Sequence, residues 1–524
     1  MVPSNWVKKI APQDGQFLPS YLQTLFDFET PSERNPNNLL PFLKKYHNTS
    51  FKRISEPGKK IMTPPNNGLI QSLLFEKDDR LNLLGDYLTI KLASSLSSIS
   101  FVSVDVLLQD IIVMNEFLAL PGCILKSLIC VRNNFDSRKI GFLCSGIAKN
   151  KSLTYLVLDE NGLKNYDVYQ LKEALLKRSS GSSCLEMLSL SKNLINDAGV
   201  EALSRALNIL TLHRLDLSFN NISHYSMLYL KDSVKELFHL DVSFNANFGL
   251  RGFNELFEVY YKSSCLTWIN LNGLNLGEEI VEDLIQPLKS HLCKIKRLGL
   301  SGNRLGDEFG VELAVALAIN TSLVELDLSC NLFTNQCIRH LAICLQFNRH
   351  LASLHMRQMP ETLASSTALV LIRAVRTSAR ITTLSIELPQ EDLAQKLRDS
   401  LAENRTLYER VANDACHLMN VSRILLHSVP SHTPQSKNMG DLPFEIMFRI
   451  LRYFVFQHPP SALSYVQFKA ILEYSAQRPS LARPTNRDTI SSCRGPRESF
   501  LNQVFCLRPN YRPEIPPEES TKGI

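Results

Sequence analysis

One pattern constrains this chain more than any other: apolar residues spaced L-x-x-L-x-L-x-x-N-x-L recur along its middle. Leu185, Leu188, Leu190, Asn193 and Ile195 spell it once, and Leu212, Leu215, Leu217, Asn220 and Ile222 spell it again. So do Ile295, Leu298, Leu300, Asn303 and Leu305, and then Leu323, Leu326, Leu328, Asn331 and Phe333. The asparagine slot falls at 133, 161, 193, 220, 245, 274, 303, 331 and 359, in steps of 25 to 32 residues. Two weaker units lie upstream, with Asp78 and Leu107 in the slot, which makes eleven. A degenerate twelfth is expected to start at Ile381, Leu384 and Ile386. Leu274 and Met359 stand where asparagine belongs, which puts the regularity of those two turns in question. A fixed period of this length signals stacked supersecondary units.

A second periodicity supports the first. Positions ten and fourteen after the anchor are Leu143 and Ile147, Leu171 and Leu175, Leu203 and Leu207, Leu230 and Val234. They continue as Leu284 and Leu288, Leu313 and Leu317, Leu341 and Leu345. Residues four apart share one helix face. Each unit therefore predicts a short strand, a turn at the anchor and a returning helix. The anchor amide satisfies backbone groups that the turn strands without partners. The Asn245 unit departs, with Glu255 and Val259 in those places. One unit cannot bury its own apolar face, so neighbours must stack. The expected class is α/β, a curved solenoid with parallel strands on the concave side and helices on the convex side.

This pattern resembles the ribonuclease-inhibitor type of leucine-rich repeat. The resemblance runs from about residue 70 to about 380. It implies a horseshoe-shaped leucine-rich-repeat solenoid. It leaves function open, because that family includes inhibitors, Ran GTPase-activating proteins, sensors and scaffolds.

Composition divides the rest. Residues 1–69 are proline-rich, with Pro12, Pro19, Pro31, Pro36, Pro41, Pro57, Pro64 and Pro65, and read as an N-terminal arm or cap. A Lys52-Arg53-Ile54-Ser55 run inside it fits a basophilic kinase site, a pattern common by chance. The solenoid with its C-terminal cap spans 70–427, the cap marked by Leu393, Leu397 and Leu401 at helical spacing. Residues 428–441 have linker composition. Residues 442–477 form a small helical module, and 478–524 an arginine- and proline-rich tail. The module opens on Leu442, Pro443, Glu445, Ile446, Ile450 and Leu451. That L-P-x-E-I-x-x-x-I-L run resembles the first helix of an F-box and implies contact with an adaptor of a cullin-type ubiquitin ligase. The later Val-Cys and Trp of an F-box are missing. The plainer reading is a helical pair packed on the solenoid's end.

Chemistry is sparse. No phosphate-binding loop, H-E-x-x-H or G-x-S-x-G occurs, so no enzymatic activity, cofactor or metal is expected. The 12 cysteines show no C-x-x-C pair, and Cys130 fills a leucine slot, so they read as buried structural thiols. A net charge of +6 is too mild to suggest a nucleic-acid partner. No run of 18 uncharged apolar residues suggests a membrane span, and the opening MVPSNWVKKIAPQDGQ has no apolar leader core. A cytoplasmic or nuclear protein is expected.

What remains is the concave face. Side chains alternate along a strand, so the residues between the leucines are expected to face solvent. One column reads Arg214, His239, Trp268, Arg297 and Glu325; the next reads Asp216, Asp241, Asn270, Gly299 and Asp327. Phe219 and Phe244 precede their anchors. Neighbouring strands lie about 4.8 Å apart, which makes such columns contiguous. Trp268, one of only two tryptophans, beside arginine has hot-spot composition. The plainer reading makes the aspartates ordinary repeat positions.

Three functions follow. The first is a non-enzymatic scaffold or regulator that binds one or more proteins on the concave face. Within it, residues 248–266, with Gly249, Arg251-Gly252 and Ser264-Cys265-Leu266, resemble leucine-rich regulators of protein phosphatase 1. Their basic-Val/Ile-x-Phe docking motif is missing, since Glu56 follows Arg53-Ile54-Ser55. The second is a substrate receptor for ubiquitin ligation through 442–451. The third is a Ran GTPase-activating protein, which the basic C-terminal region disfavours, because that family ends its repeats in an acidic segment.

Overall fold

The computed structural model describes residues 52–53, 72–75, 95–179, 185–427 with short breaks, 463, 466–468 and 470–471. Thirteen strands are described: β1 (Lys52–Arg53), β2 (Ser72–Phe75), β3 (Ser98–Val102), β4 (Ser127–Val131), β5 (Tyr155–Val157), β6 (Met187–Ser189), β7 (Arg214–Asp216), β8 (His239–Asp241), β9 (Trp268–Asn270), β10 (Arg297–Gly299), β11 (Glu325–Asp327), β12 (Ser353–Met356) and β13 (Thr383–Ile386). They follow sequence order in one sheet, and registered neighbours run parallel. Helices alternate with them: α1 (Leu108–Leu118), α2 (Ser137–Lys149), α3 (Asn165–Ser179), α4 (Asp197–Leu207), α5 (His224–Leu230), α6 (Gly249–Lys262), α7 (Val281–Lys289), α8 (Asp307–Ile319), α9 (Asn335–Leu345), α10 (Ser365–Ser378) and α11 (Glu391–His427). The fold class is that of a leucine-rich-repeat solenoid. The chain separates into two compact units. The first holds residues 1–284, 294–306 and 327–331; the second holds 285–293, 307–326 and 332–524.

The core of the first unit is a column of leucines in register. Leu156, Leu188, Leu215, Leu240, Ile269 and Leu298 pair in turn across β5 to β10. All are buried, and each such side chain contributes about 1.5–3 kcal/mol relative to exposure. The helix positions ten and fourteen after the anchor close the core from the other side, as Leu203 and Leu207 do on α4. In α6 Phe253, Leu256 and Phe257 are buried, whereas Glu255, at position ten after its anchor, is half-buried. Glu255 pairs instead with Lys231.

Anchor amides hold the turns. Asn245, fully buried, donates from Nδ2 to the carbonyls of Leu217 at 3.0 Å and Val242 at 2.8 Å. Its Oδ1 accepts from the backbone N–H groups of Asn220 at 3.1 Å and Ile222 at 3.2 Å. Each amide thus ties its own turn to the preceding one. The residue before each anchor sits at positive φ in nine successive units: Arg132, Glu160, Lys192, Phe219, Phe244, Gly273, Gly302, Cys330 and Gln358. For the seven that are not glycine this costs roughly 1–2 kcal/mol each, offset by the bonds the turn makes.

The doubt about the Leu274 and Met359 turns is resolved in favour of regularity. Gly273 (φ +65°) and Gln358 (φ +53°) take the same left-handed conformation as their counterparts. Leu274 donates its N–H to the next anchor, Asn303 Oδ1, at 3.0 Å. The degenerate twelfth unit is a full strand: β13 pairs with β12 from Ser353↔Thr383 to Met356↔Ile386. It leads into α11, whose Leu393 and Leu397 are buried. Asn404 on α11 donates to the carbonyls of Val375 at 2.9 Å and Ile381 at 2.8 Å. Phe468 and Ile471, within the expected helical module at 442–477, are buried too. The F-box-like residues Leu442, Pro443, Glu445, Ile446, Ile450 and Leu451 lie outside the described residues, as does the linker at 428–441.

Candidate protein-binding surface

The first candidate column is contiguous. Arg214 registers with His239, His239 with Trp268, and Trp268 with Arg297, on β7 to β10. Arg214, Trp268 and Arg297 are half-buried, whereas His239 is buried. The Trp268 and His239 rings meet edge to face. Solvent exposure was expected of every residue in this column, and His239 overturns it: a short ring flanked by an indole and two long arginines is covered by them.

That cover sets the charge of His239. Burial, then the Arg214 and Arg297 guanidiniums, hold its imidazole well below the usual histidine range. It is therefore neutral near pH 7, and its Nε2 has no hydrogen-bond partner. In the unfolded chain the ring takes up a proton below about pH 6.5; in the folded chain it does not. The unfolded state binds more protons there, so stability is lost as pH falls through that value. His239→Gln is expected to flatten the fall in melting temperature between pH 7.5 and pH 5.5, measured by circular dichroism. An unchanged slope would mean that His239 is not the group responsible.

The second column behaves differently from expectation. Asp216, Asp241 and Asn270 are buried, with Asp241 at 0% exposure, so they do not face solvent. The cause is local. Each aspartate ends its strand two residues before a serine and bends onto that serine. Asp216 Oδ1 accepts from Ser218 N–H at 2.9 Å and its hydroxyl at 2.6 Å. Asp241 Oδ1 does the same with Ser243 at 3.0 and 2.6 Å. Asn270 Nδ2 donates to Asp241 Oδ2 at 2.8 Å. Asp327 Oδ1 accepts from Ser329 N–H at 3.0 Å. Gly299 is buried beside Asn270, whose Oδ1 fills the space a Cβ would need. Glu325 belongs to the second unit, where its Oε1 lies 4.0 Å from His355 Nε2.

The ladder extends to a residue the sequence reading missed. Asp159 Oδ1 accepts from the Ser189 hydroxyl at 2.7 Å and Ser191 N–H at 2.9 Å. Burial, then the nearby Asp216 carboxylate, push its own carboxyl well above the usual range. Ser191 and Ser218 share a hydroxyl contact of 2.7 Å, which joins the two aspartates into one network.

Phe219 and Phe244 form a second contiguous feature. Their rings stack at 4.1 Å with an interplanar angle of 17°. Lys192 Nζ lies 5.3 Å from the Phe219 centroid and 2.9 Å from Glu160 Oε1, and Glu160 Oε2 pairs with Arg132 at 2.7 Å. At the other end Phe244 leans over Gly273, where a Cβ would stand 2.6 Å from its Cδ1. The left-handed backbone repeated in every turn aims these side chains into one row. The second missed feature is Phe238, 45% exposed and edge-on to His213 at 5.2 Å. Phe238 stands just before β8 and Asp159 two residues past the end of β5, so the residues that flank each strand were the signal for both.

Among the described residues no group of three or more His, Cys, Asp or Glu side chains is placed to hold a metal ion. Burial pushes the Cys144 thiol up to about 12 and Cys130 higher still. No helix among them is long and apolar enough to cross a membrane.

A family model described as "Leucine Rich repeat" matches residues 181–204 and 209–223. The human protein "NACHT, LRR and PYD domains-containing protein 14" is 27% identical over 254 residues, 47% of this chain and 23% of that protein. The zebrafish (Danio rerio) "Tonsoku-like protein" is 28% identical over 211 residues, 38% of this chain and 15% of that protein. The chain thus spans well under half the length of these relatives. Among solved structures, "Leiomodin-1 Actin-Binding Site 2 (ABS2)" matches at 19% identity and a TM-score of 0.28, covering 29% of this chain and 90% of that one.

Proposed function

From the premise that the chain is a leucine-rich-repeat protein, we propose that it is a non-enzymatic scaffold or regulator. Its protein partner seats on the sheet face that presents Arg214, Trp268 and Arg297. The observation that carries this reading is the register of those side chains on β7 to β10 around a neutral, buried His239. An indole beside one guanidinium, with a second on the far side of His239, offers a large apolar contact and planar hydrogen-bond donors at little entropic cost. The polar ladder behind it fixes the strand ends, so the platform is preorganised. Phe219, Phe244 and Phe238 widen the aromatic area on the same strands' flanks.

The test is affinity capture of tagged protein from cells, wild type beside Trp268→Ala and Arg214→Glu/Arg297→Glu. Partners retained by wild type and lost from both variants support the reading. Partners kept by both variants overturn it.

A second reading rests on the Leu442–Pro443–Glu445–Ile446 run alone. It makes the chain a substrate receptor of a cullin-type ubiquitin ligase, with the sheet face holding the substrate. Leu442→Ala/Pro443→Ala is then expected to lose adaptor and cullin subunits in the same capture. Their absence from the wild-type sample ends this reading without touching the first. Neither the phosphatase 1 reading nor the Ran reading gains a specific observation.

A further inference from the structure

We propose that the helical side of the second unit carries another docking surface, which takes an acidic amphipathic helix of a partner protein. The observation is a run of exposed apolar side chains on neighbouring helices. Twelve and sixteen residues after the anchor, the units of α2, α3 and α7 carry the polar pairs Ser145 and Lys149, Glu173 and Lys177, and Gln286 and Ser290, while the unit of α10 buries Leu371 and Val375 there. On α8 they are Val315 and Ile319; on α9 and just past its end they are Ile343 and Phe347. These four are 47%, 58%, 45% and 65% exposed. Single exposed apolar residues are ordinary; four on adjacent helices form a patch.

The two helices hold that patch together. They approach closely at Gly310, where a Cβ would collide with Cys337 Sγ and press on Phe333. Neighbouring helices at such a contact lie about 8–10 Å apart. The four side chains therefore border one shallow strip between α8 and α9. Helical segments of partners bind such strips through apolar residues three and four apart.

Charge selects the kind of helix. Between Asn335 and Ser378 the chain carries five arginines and one acidic residue, Glu361. Arg373 and Arg376 are exposed on α10, next in line after α9, and Arg339 is exposed on α9, where it donates to Ser366 of α10 at 3.1 Å. On α8, Asp307 caps Thr334 at 2.8 Å and Glu312 pairs with Lys289 at 2.9 Å, whereas Glu308, in the first turn, is exposed. A partner helix with carboxylates along the flank over α10 complements this arrangement. A basic one does not.

The surface shares no residue with the sheet face, so the two proposals fail separately. The test titrates a fluorescent synthetic peptide, with leucines on one helical face and glutamates beside them, into the full-length protein. Binding is expected to weaken about tenfold or more for Ile319→Ser/Phe347→Ser and for Arg373→Glu/Arg376→Glu, while Trp268→Ala binds as wild type. The same peptide with lysine for glutamate is expected to bind about tenfold more weakly, and to recover on the Arg373→Glu/Arg376→Glu variant. Three results overturn the proposal: equal binding of a scrambled peptide, binding indifferent to both variant pairs, or a stronger response to phosphatidylserine vesicles than to the peptide. Dimerisation of the protein alone that Ile319→Ser/Phe347→Ser abolishes, seen by sedimentation, overturns it in favour of a second copy. Ile319, Phe347, Arg373 and Arg376 are exposed, so unchanged circular dichroism spectra are expected to show that their variants fold.

Discussion

Asn245→Ala is expected to destabilise the protein by about 3–5 kcal/mol, the range for breaking a buried hydrogen-bond network. The substitution removes an amide that joins two turns. The carbonyls of Leu217 and Val242 lose their side-chain donor, and the N–H groups of Asn220 and Ile222 lose their acceptor. All this happens at a site with 0% exposure, so no water replaces the amide without a cavity. Each unit relies on its neighbours, so the damage is expected to spread to the adjoining strands β7 and β8. Urea denaturation with hydrogen-exchange mapping reads both the loss and its extent. A midpoint shift corresponding to less than 1 kcal/mol, or exchange confined to residue 245, would contradict this account. Asn220→Ala is the comparison: that anchor is half-buried, and a smaller loss is expected there.

Trp268→Ala is expected to weaken partner binding by about 2–4 kcal/mol, or roughly 30-fold to 1000-fold. The indole supplies the largest apolar surface of its column, and its removal leaves Arg214 and Arg297 separated by a gap beside His239. Fold stability is expected to change less, because Trp268 is half-buried while the adjacent Ile269, Leu271 and Leu240 hold the core. Titration calorimetry against a captured partner, beside a thermal melt, separates the two effects. An affinity within a factor of three of wild type would move the binding surface off this column. A melting temperature that collapses together with affinity would make Trp268 a packing residue.

Most of the fold was legible because its signals are local and repeated. The leucine triplets located the strands, and the residues ten and fourteen after each anchor located most helix faces. The Asn245 unit was the exception. There the pattern pointed to Glu255, which is half-buried, while Phe253, Leu256 and Phe257 fill the core. The Leu274 turn shows the converse. Its anchor amide is absent, yet Gly273 takes the left-handed conformation and Asn303 reaches back to the Leu274 N–H. A missing side chain in one unit was made good by the next.

The candidate surface was legible by column and not by exposure. Periodicity placed Arg214, His239, Trp268 and Arg297 side by side, and they are so placed. The same alternation assigned Asp216, Asp241 and Asn270 to solvent, where they are not. Alternation gives the direction of a Cβ; it says nothing of where a short carboxylate then bends, and Ser218 and Ser243 capture those carboxylates. Phe219 and Phe244 stack because a left-handed residue recurs before each anchor, a conformation that no glycine or asparagine announced in those units.

The sequence by itself determined the repeating unit: which residues form strands, which turn and which helix face points inward. Those features depend on neighbours within a few residues or on a strict period, and both can be read along a line. Only the tertiary structure decided which polar side chains are spent inside and which remain for a partner. That division depends on residues 25 to 32 positions apart being brought to within hydrogen-bond distance by stacking, as with Asp159 and Ser191 or Asn245 and Leu217. The repeat told that such residues would be neighbours; only their three-dimensional packing told what they would do to one another.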